Sequence, residues 1–141
     1  MVNFLNMAKD IESELIGMRR DIHQNPELGF DLFRTSQKVK DFLSAEEIEF
    51  YEVAQTGICA IIRGNGEKTV ALRADMDALP LQDKKVCDYA SKINGKMHAC
   101  GHDAHTTILL GAARILNNMR NELKGNVKLF FEPAEETTGG S

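Results

Sequence analysis

Apolar residues return every three or four positions from Ile11 through Leu15 and Met18 to Ile22, within a segment otherwise rich in Glu, Asp and Arg. This spacing predicts an amphipathic helix that ends near Asn25-Pro26, because proline disfavours helical backbone in the residue before it. PELGF then reads as a turn, and a second helix is predicted from about Asp31 to Leu43, with Phe33, Val39, Phe42 and Leu43 on its inner side. From Ile48 the pattern changes to β-branched and aromatic runs broken by glycines, EIEFYEVA, GICAIIRG and KTVALRA, which predict strands. Gly64-Asn65-Gly66 between the last two predicts a hairpin. Pro80 to Lys96 has weak periodicity and reads as loop, with a turn at Asn94-Gly95. Ile108, Leu109, Ala112, Ile115, Leu116 and Met119 predict a third helix from about His105 to Leu123, stopped at Gly125. NVKLFF, Asn126 to Phe131, is the last predicted strand and leads into EPAEETTGGS.

The order helix, helix, strands, helix, strand is α/β. KTVALRA, the third helix and NVKLFF form a crossover unit, whose strands pair in parallel. In open α/β sheets the working site lies beyond the carboxyl ends of the strands. Asp75 and Asp77 follow one of these strands, and Glu135 and Glu136 follow the other. The loop before the helix, with Cys100, His102, Asp103 and His105, is expected at the same edge.

Composition narrows the class. The 141 residues are 43% hydrophobic and 27% charged with net charge −4, which fits one mildly acidic globular domain and gives nucleic acid no basic surface. The longest apolar runs fall far short of a membrane span, and MVNFLNMAKDIE lacks the pattern of a secretory signal. Three cysteines without paired spacing fit a reducing compartment, so the cytoplasm is expected.

MHACGHDAH, residues 97–105, holds three of the four histidines of the chain. Thiolate, imidazole and carboxylate together are the ligand set of zinc or a similar first-row ion. Taken singly, each residue has a structural alternative. Asp103 suits a helix N-cap, His98 or His105 a buried histidine bonded to backbone, and His23 a partner for a helix dipole. Cys59 reads as core, Cys87 as an incidental thiol, and Glu135-Glu136 alone as a solvated loop. Only the constellation points to chemistry. A thiol hydrolase using Cys100 with His102 or His105 is a weaker reading, because Cys100 and His102 in one turn suit joint coordination better than in-line proton transfer.

In order, RRDIHQNPELGF, TGICAII, ALRADMDALP, GKMHACGHDAHTTILLGAA and FFEPAEE resemble the amidohydrolase branch of the zinc metallopeptidases, which includes aminoacylases, hippurate hydrolases and auxin-conjugate hydrolases. The resemblance implies an open, mixed, mainly parallel sheet flanked by helices, with two clustered metal ions in the complete family. Zinc is the first expectation, with manganese, cobalt or nickel as alternatives. It also implies hydrolysis of the amide bond of N-acyl amino acids, small-molecule substrates, by metal-activated water. Cys100, His102 and Glu136 are the implied metal ligands and Glu135 the implied general base. Asp75 and Asp77 form the acidic motif beside the metals, either of them able to orient a ligand, and His105 supports the site. Where the family has Gln before the Pro of PAEE, this chain has Glu132.

The family supplies two further histidine ligands and a lid domain, used for dimerisation in the full-length form, beyond the stretch that ends here at Ser141. Residues 1–141 are therefore expected to be the N-terminal portion of a single catalytic domain in truncated form, with NVKLFF short of at least one neighbour and its apolar edge exposed. The alternative is a non-catalytic fragment that binds one metal or associates through an open sheet edge.

Overall fold

The computed structural model describes residues 3–138. Helices α1 (Phe4–Asp10), α2 (Glu12–Gln24) and α3 (Phe33–Ala45) lead into strands β1 (Glu49–Val53), β2 (Gly57–Ile62) and β3 (Thr69–Asp75). Helix α4 (His102–Asn118), a short 3-10 turn, strand β4 (Asn126–Glu132) and the single turn α5 (Glu135–Thr138) complete the chain. Among the described residues no helix is long and apolar enough to cross a membrane.

The expected open, mixed, helix-flanked sheet is present. Its strand order is β1-β2-β4-β3. Within these strands the parallel character is confined to β3 and β4, while β1–β2 and β2–β4 are antiparallel. Two sequence expectations are corrected here. Gly64-Asn65-Gly66 does not close a hairpin between β2 and β3, because β4 lies between them. NVKLFF is accordingly a central strand with both neighbours in place, and the outer strands are β1 and β3.

The reason is long-range. Ile58, Ala60 and Ile62 of β2 stand opposite Phe131, Leu129 and Val127 of β4, and all six are core residues. The glycine loop instead closes over the start of β4. Asn65 N–H donates to the Leu123 carbonyl at 2.8 Å, and Asn126 links to both glycines through its side-chain amide. A Cβ on Gly66 would run into the Lys124 carbonyl.

Helices α3 and α4 cover one face of the sheet. Helix α3 starts without a side-chain bond from its own cap residue, Leu32; instead the Glu27 carboxylate accepts the Arg34 and Thr35 N–H groups at 3.0 and 2.7 Å. Phe33, expected inside, is 70% exposed. The inward stripe runs through Leu32, Thr35, Ser36, Val39, Phe42 and Leu43, and Phe33 falls one residue off it. Helix α4 begins three residues earlier than its apolar spacing predicted, at His102, with Ile108 on the outer side and Leu109, Leu110 and Ala113 in the core. The first predicted helix is α2, and a short helix α1 that the apolar spacing did not predict precedes it, the two separated at Ile11.

Gly66→Ala is expected to destabilise the fold by about 1–3 kcal/mol, because the added methyl meets backbone that cannot yield. Gly17→Ala, in open space within α2, is expected to stabilise it by about 1 kcal/mol. Urea unfolding of both variants beside the parent checks this, and equal effects would contradict the loop packing described.

Candidate metal centre

Parallel register places Asp75 of β3 directly opposite Glu132 of β4, so the residues after both strands emerge at one edge. The expected meeting of Asp75, Asp77, Cys100, His102, Glu135 and Glu136 occurs there. His102 is its centre, with its side chain 2% exposed. Its Nδ1 lies 2.9 Å from the Asp77 carbonyl oxygen. A carbonyl only accepts, so Nδ1 carries the proton and the Nε2 lone pair faces outward. From Nε2, Asp75 Oδ1 is 3.5 Å away, Glu136 Oε1 3.7 Å and Glu135 Oε2 3.8 Å.

The two aspartates, indistinguishable in the sequence, have different tasks. The Asp77 side chain is fully buried and its two oxygens accept the N–H groups of Glu135 and Glu136, each at 3.1 Å. Asp77 therefore stands behind His102 and at the same time sets the start of the Glu135-Glu136 turn. Buried Ala134 helps to aim this turn with a left-handed backbone, φ 59°; such strain concentrates at functional sites. Asp75 faces the open side and accepts His105 Nδ1–H at 2.6 Å, while Thr106 Oγ1 donates to its carbonyl at 2.9 Å. Gly101, between Cys100 and His102, has φ 104°, a conformation that glycine adopts without strain.

Electrostatics follow from this arrangement. Burial opposes charge on His102, but Asp77 and Asp75 outweigh it and raise the pKa of the imidazole. Burial would raise the Asp75 carboxyl, yet the His105 hydrogen bond and the His102 charge hold it below the ordinary carboxylate range. Glu136 beside Cys100 pushes the thiol up, and burial adds to this. A nucleophilic cysteine needs the opposite shift, which weighs against the thiol-hydrolase reading. A cation between the two groups would reverse the sign.

Ligand atoms of Cys100, His102 and Glu136 lie within 4.8 Å of one another, and so do those of Asp75, His102 and His105. Both sets need the same His102 Nε2. The first is favoured, because among the described residues Glu136 Oε1 is buried with no hydrogen-bond partner, whereas Asp75 Oδ1 already accepts His105 Nδ1–H. A soft thiolate, an imidazole and a carboxylate oxygen left to a cation suit a divalent metal.

Two residues of the loop point elsewhere. Asp103 is not the N-cap of α4; that position is Gly101, and the Asp103 carboxylate is buried against α2, where it accepts His23 Nδ1–H at 2.7 Å. His98 is buried beside His23 with no hydrogen bond from either ring nitrogen among the described residues, and burial pushes its pKa down to about 4. His23, read from the sequence as a helix-dipole partner, is 1% exposed and belongs to this inner cluster. The signal that could have found it is Arg19, one helical turn before it and on the same face. Glu132 is paired with Arg73, which also reaches Asp75 Oδ2 at 3.3 Å, so the charge added at that position is neutralised. Cys59 is core and Cys87 exposed, as expected.

The combination of an α/β sheet with a thiol, imidazole and carboxylate cluster at the carboxyl edge defines the class, and comparison with known proteins agrees. Residues 71–141 match Peptidase family M20/M25/M40, and the chain belongs to this family. It is 46% identical over 136 residues to N-acetylcysteine deacetylase of Bacillus subtilis (strain 168), covering 94% of this chain and 36% of that protein. It is 49% identical over 142 residues to IAA-amino acid hydrolase ILR1-like 5 of Arabidopsis thaliana, covering 99% of this chain and 33% of that protein. Among solved structures, the Bacillus subtilis YXEP protein, a dinuclear metal binding peptidase from the M20 family, superposes with TM-score 0.87 at 46% identity, covering 91% of this chain and 36% of that one. The chain thus spans about a third of the length of the curated relatives it matches.

Asp77→Ala keeps the main-chain carbonyl behind His102 but removes the carboxylate that holds the Glu136 backbone, and is expected to weaken divalent-metal binding about 10–100-fold, the usual cost of losing a group that orients a ligand. It should also lower stability by about 1–3 kcal/mol, because donors are left without acceptors. Zinc titration calorimetry and thermal melting measure the two effects, and unchanged affinity would contradict the role given to Asp77.

Proposed function

We propose that the protein carrying this chain is a metal-dependent amidohydrolase that cleaves the amide bond of N-acyl amino acids or related small amides. The observation that carries this reading is the convergence of Cys100, His102 Nε2 and Glu136, whose buried Oε1 has no hydrogen-bond partner among the described residues, with Glu135 beside them. The relatives named for deacetylation of N-acetylcysteine and hydrolysis of IAA-amino acids support the substrate class. Residues 1–141 are one portion of the catalytic domain in this reading. The longer form is a cytoplasmic homodimer, and the free cysteines fit that reducing compartment.

Cys100, His102 and Glu136 would hold the metal, zinc first and manganese, cobalt or nickel next. When bound there, a divalent ion supplies Lewis acidity, which polarises the amide carbonyl and acidifies water. The residues of this chain do the remainder. The Asp77 carbonyl fixes His102 in one tautomer and orientation. The Asp77 carboxylate holds the backbone of Glu135 and Glu136, so the two carboxylates cannot exchange places. Glu136 turns inward, with its side chain 17% exposed, while Glu135, at 39%, stays open to solvent and substrate. Glu135 takes a proton from the attacking water at its carboxylate and returns it to the departing amine nitrogen. Asp75 keeps His105 turned toward the site mouth and adds negative charge on the Nε2 side of His102.

A second reading has its own observation. The Cys100, His102 and Glu136 set offers three ligand atoms, enough for one ion, and Val70 and Leu72 of edge strand β3 are 59% and 38% exposed. In that reading the chain binds one metal or associates through β3 and hydrolyses nothing. Metal stoichiometry and sedimentation of the 141-residue chain discriminate between the two.

The deciding assay is release of free amino acid from N-acetyl and N-benzoyl amino acids, with and without chelator, by the parent and by Glu135→Gln. Chelation should abolish turnover, and Glu135→Gln should lower kcat about 100- to 10,000-fold with little change in metal content. Turnover that survives both treatments would overturn the reading.

A further inference from the structure

Behind the loop that carries Cys100 and His102 lies a polar cluster that the proposed reaction does not use. Asp103 follows His102 in the first turn of α4 and is fully buried. Its Oδ2 accepts a hydrogen bond from His23 Nδ1 at 2.7 Å and forms an ion pair with Arg19 Nε at 2.7 Å, both on α2. Arg19 and His23 stand one turn apart on α2, so a single helix face delivers both donors. Thr107 Oγ1 closes the turn from the other side by donating to the Asp103 carbonyl at 2.7 Å. Among the described residues His23 Nε2 makes no hydrogen bond, with the Asp83 carboxylate 3.8 Å away on that side, so the one hydrogen bond of the ring runs through Nδ1 to Asp103. The edge of Tyr89 packs on the His23 ring, and the Arg19 guanidinium lies 5.4 Å from the centre of the same Tyr89 ring.

Adhesion between α2 and α4 does not require this chemistry. An apolar trio of similar volume packs two helices at least as well as a buried Arg–carboxylate–His group, whose desolvation is expensive. What the buried group adds is direction. His102 and Asp103 are neighbours in one helical turn. His102 is held from the front by the Asp77 carbonyl, and Asp103 is held from behind by His23 and Arg19. Two anchors on adjacent residues remove the rotation of this turn about the helix axis and so set where His102 Nε2 points. They also fix the exit of the chain from Gly101 back to Cys100.

We propose that His23, acting through Asp103, is a positioning residue for the metal-binding face of His102 and Cys100; this rests on the metal set given under Proposed function. His23→Asn places an amide N–H close to where Nδ1–H stood. His23→Gln places it near Nε2 instead, and His23→Leu has no donor. The probe is cobalt(II), added to the metal-free protein, with the dissociation constant and the thiolate-to-cobalt absorption band read together, and kcat and KM measured on the cobalt-loaded protein. His23→Asn should bind within about threefold of the parent with the same band, whereas His23→Gln and His23→Leu should bind about 10–100-fold more weakly with a diminished band. Thermal melting of the metal-free proteins separates this from instability: Gln and Asn variants that melt together but bind differently support positioning. Parent-like binding by His23→Leu or His23→Gln would overturn the proposal, as would equal weakening in all three variants. A parent protein that binds cobalt without any thiolate band would instead overturn the Cys100, His102 and Glu136 set itself.

Discussion

Asp77 is a carboxylate taken almost wholly out of water, and an isolated charge in that position would cost several kcal/mol or more. It is tolerated because donors surround the carboxylate: it accepts the N–H groups of Glu135 and Glu136, and the His102 ring, which donates to the Asp77 main-chain carbonyl, also lies 3.4 Å from Oδ1. That requirement ties together three stretches that are far apart in the chain, the end of β3, the first turn of α4 and the turn after β4. Each constrains the others, since none can shift without leaving a buried group unpaired. The remaining geometry of the site follows, with His102 Nε2, Glu136 and Cys100 facing one volume and Glu135 at its open side.

The sheet makes this contact possible. Parallel pairing of β3 with β4 sends both strand ends the same way, and the register that sets Asp75 against Glu132 puts them at the same height. Antiparallel pairing of β4 with β2 seats Phe131, Leu129 and Val127 in the core, so the strand that ends in the PAEE turn is held on both sides. The outer layer of α2 then meets the buried side of α4. The site is thus clamped between the sheet edge in front and the His23–Asp103–Arg19 group behind.

Much of this was legible in the sequence because the chemistry is locally dense. MHACGHDAH, ADMD and PAEE are each ambiguous alone, but the strand–helix–strand pattern between them implies that their ends converge. The strand order was not legible. Gly64-Asn65-Gly66 is a strong local hairpin signal, but the pairing of Ile58 with Phe131 spans about half of the chain, and local pattern carries no trace of it. The same limit explains Phe33, whose apolar character suggests burial although Leu32 occupies the inward position. It also explains Asp103, whose N-cap propensity is real but whose partners come from a helix eighty residues away. Asp75 and Asp77 are chemically alike and point to the same edge, and only the contacts of each separate them.

The central claim is that one cation is held by Cys100, His102 through Nε2, and Glu136. Anomalous diffraction at the zinc edge from crystals grown with zinc tests it most directly. The account predicts a peak at about 2.0–2.3 Å from Cys100 Sγ, His102 Nε2 and a Glu136 carboxylate oxygen. A peak bound by Asp75 and His105 without Cys100, or one on His102 Nδ1, would contradict it.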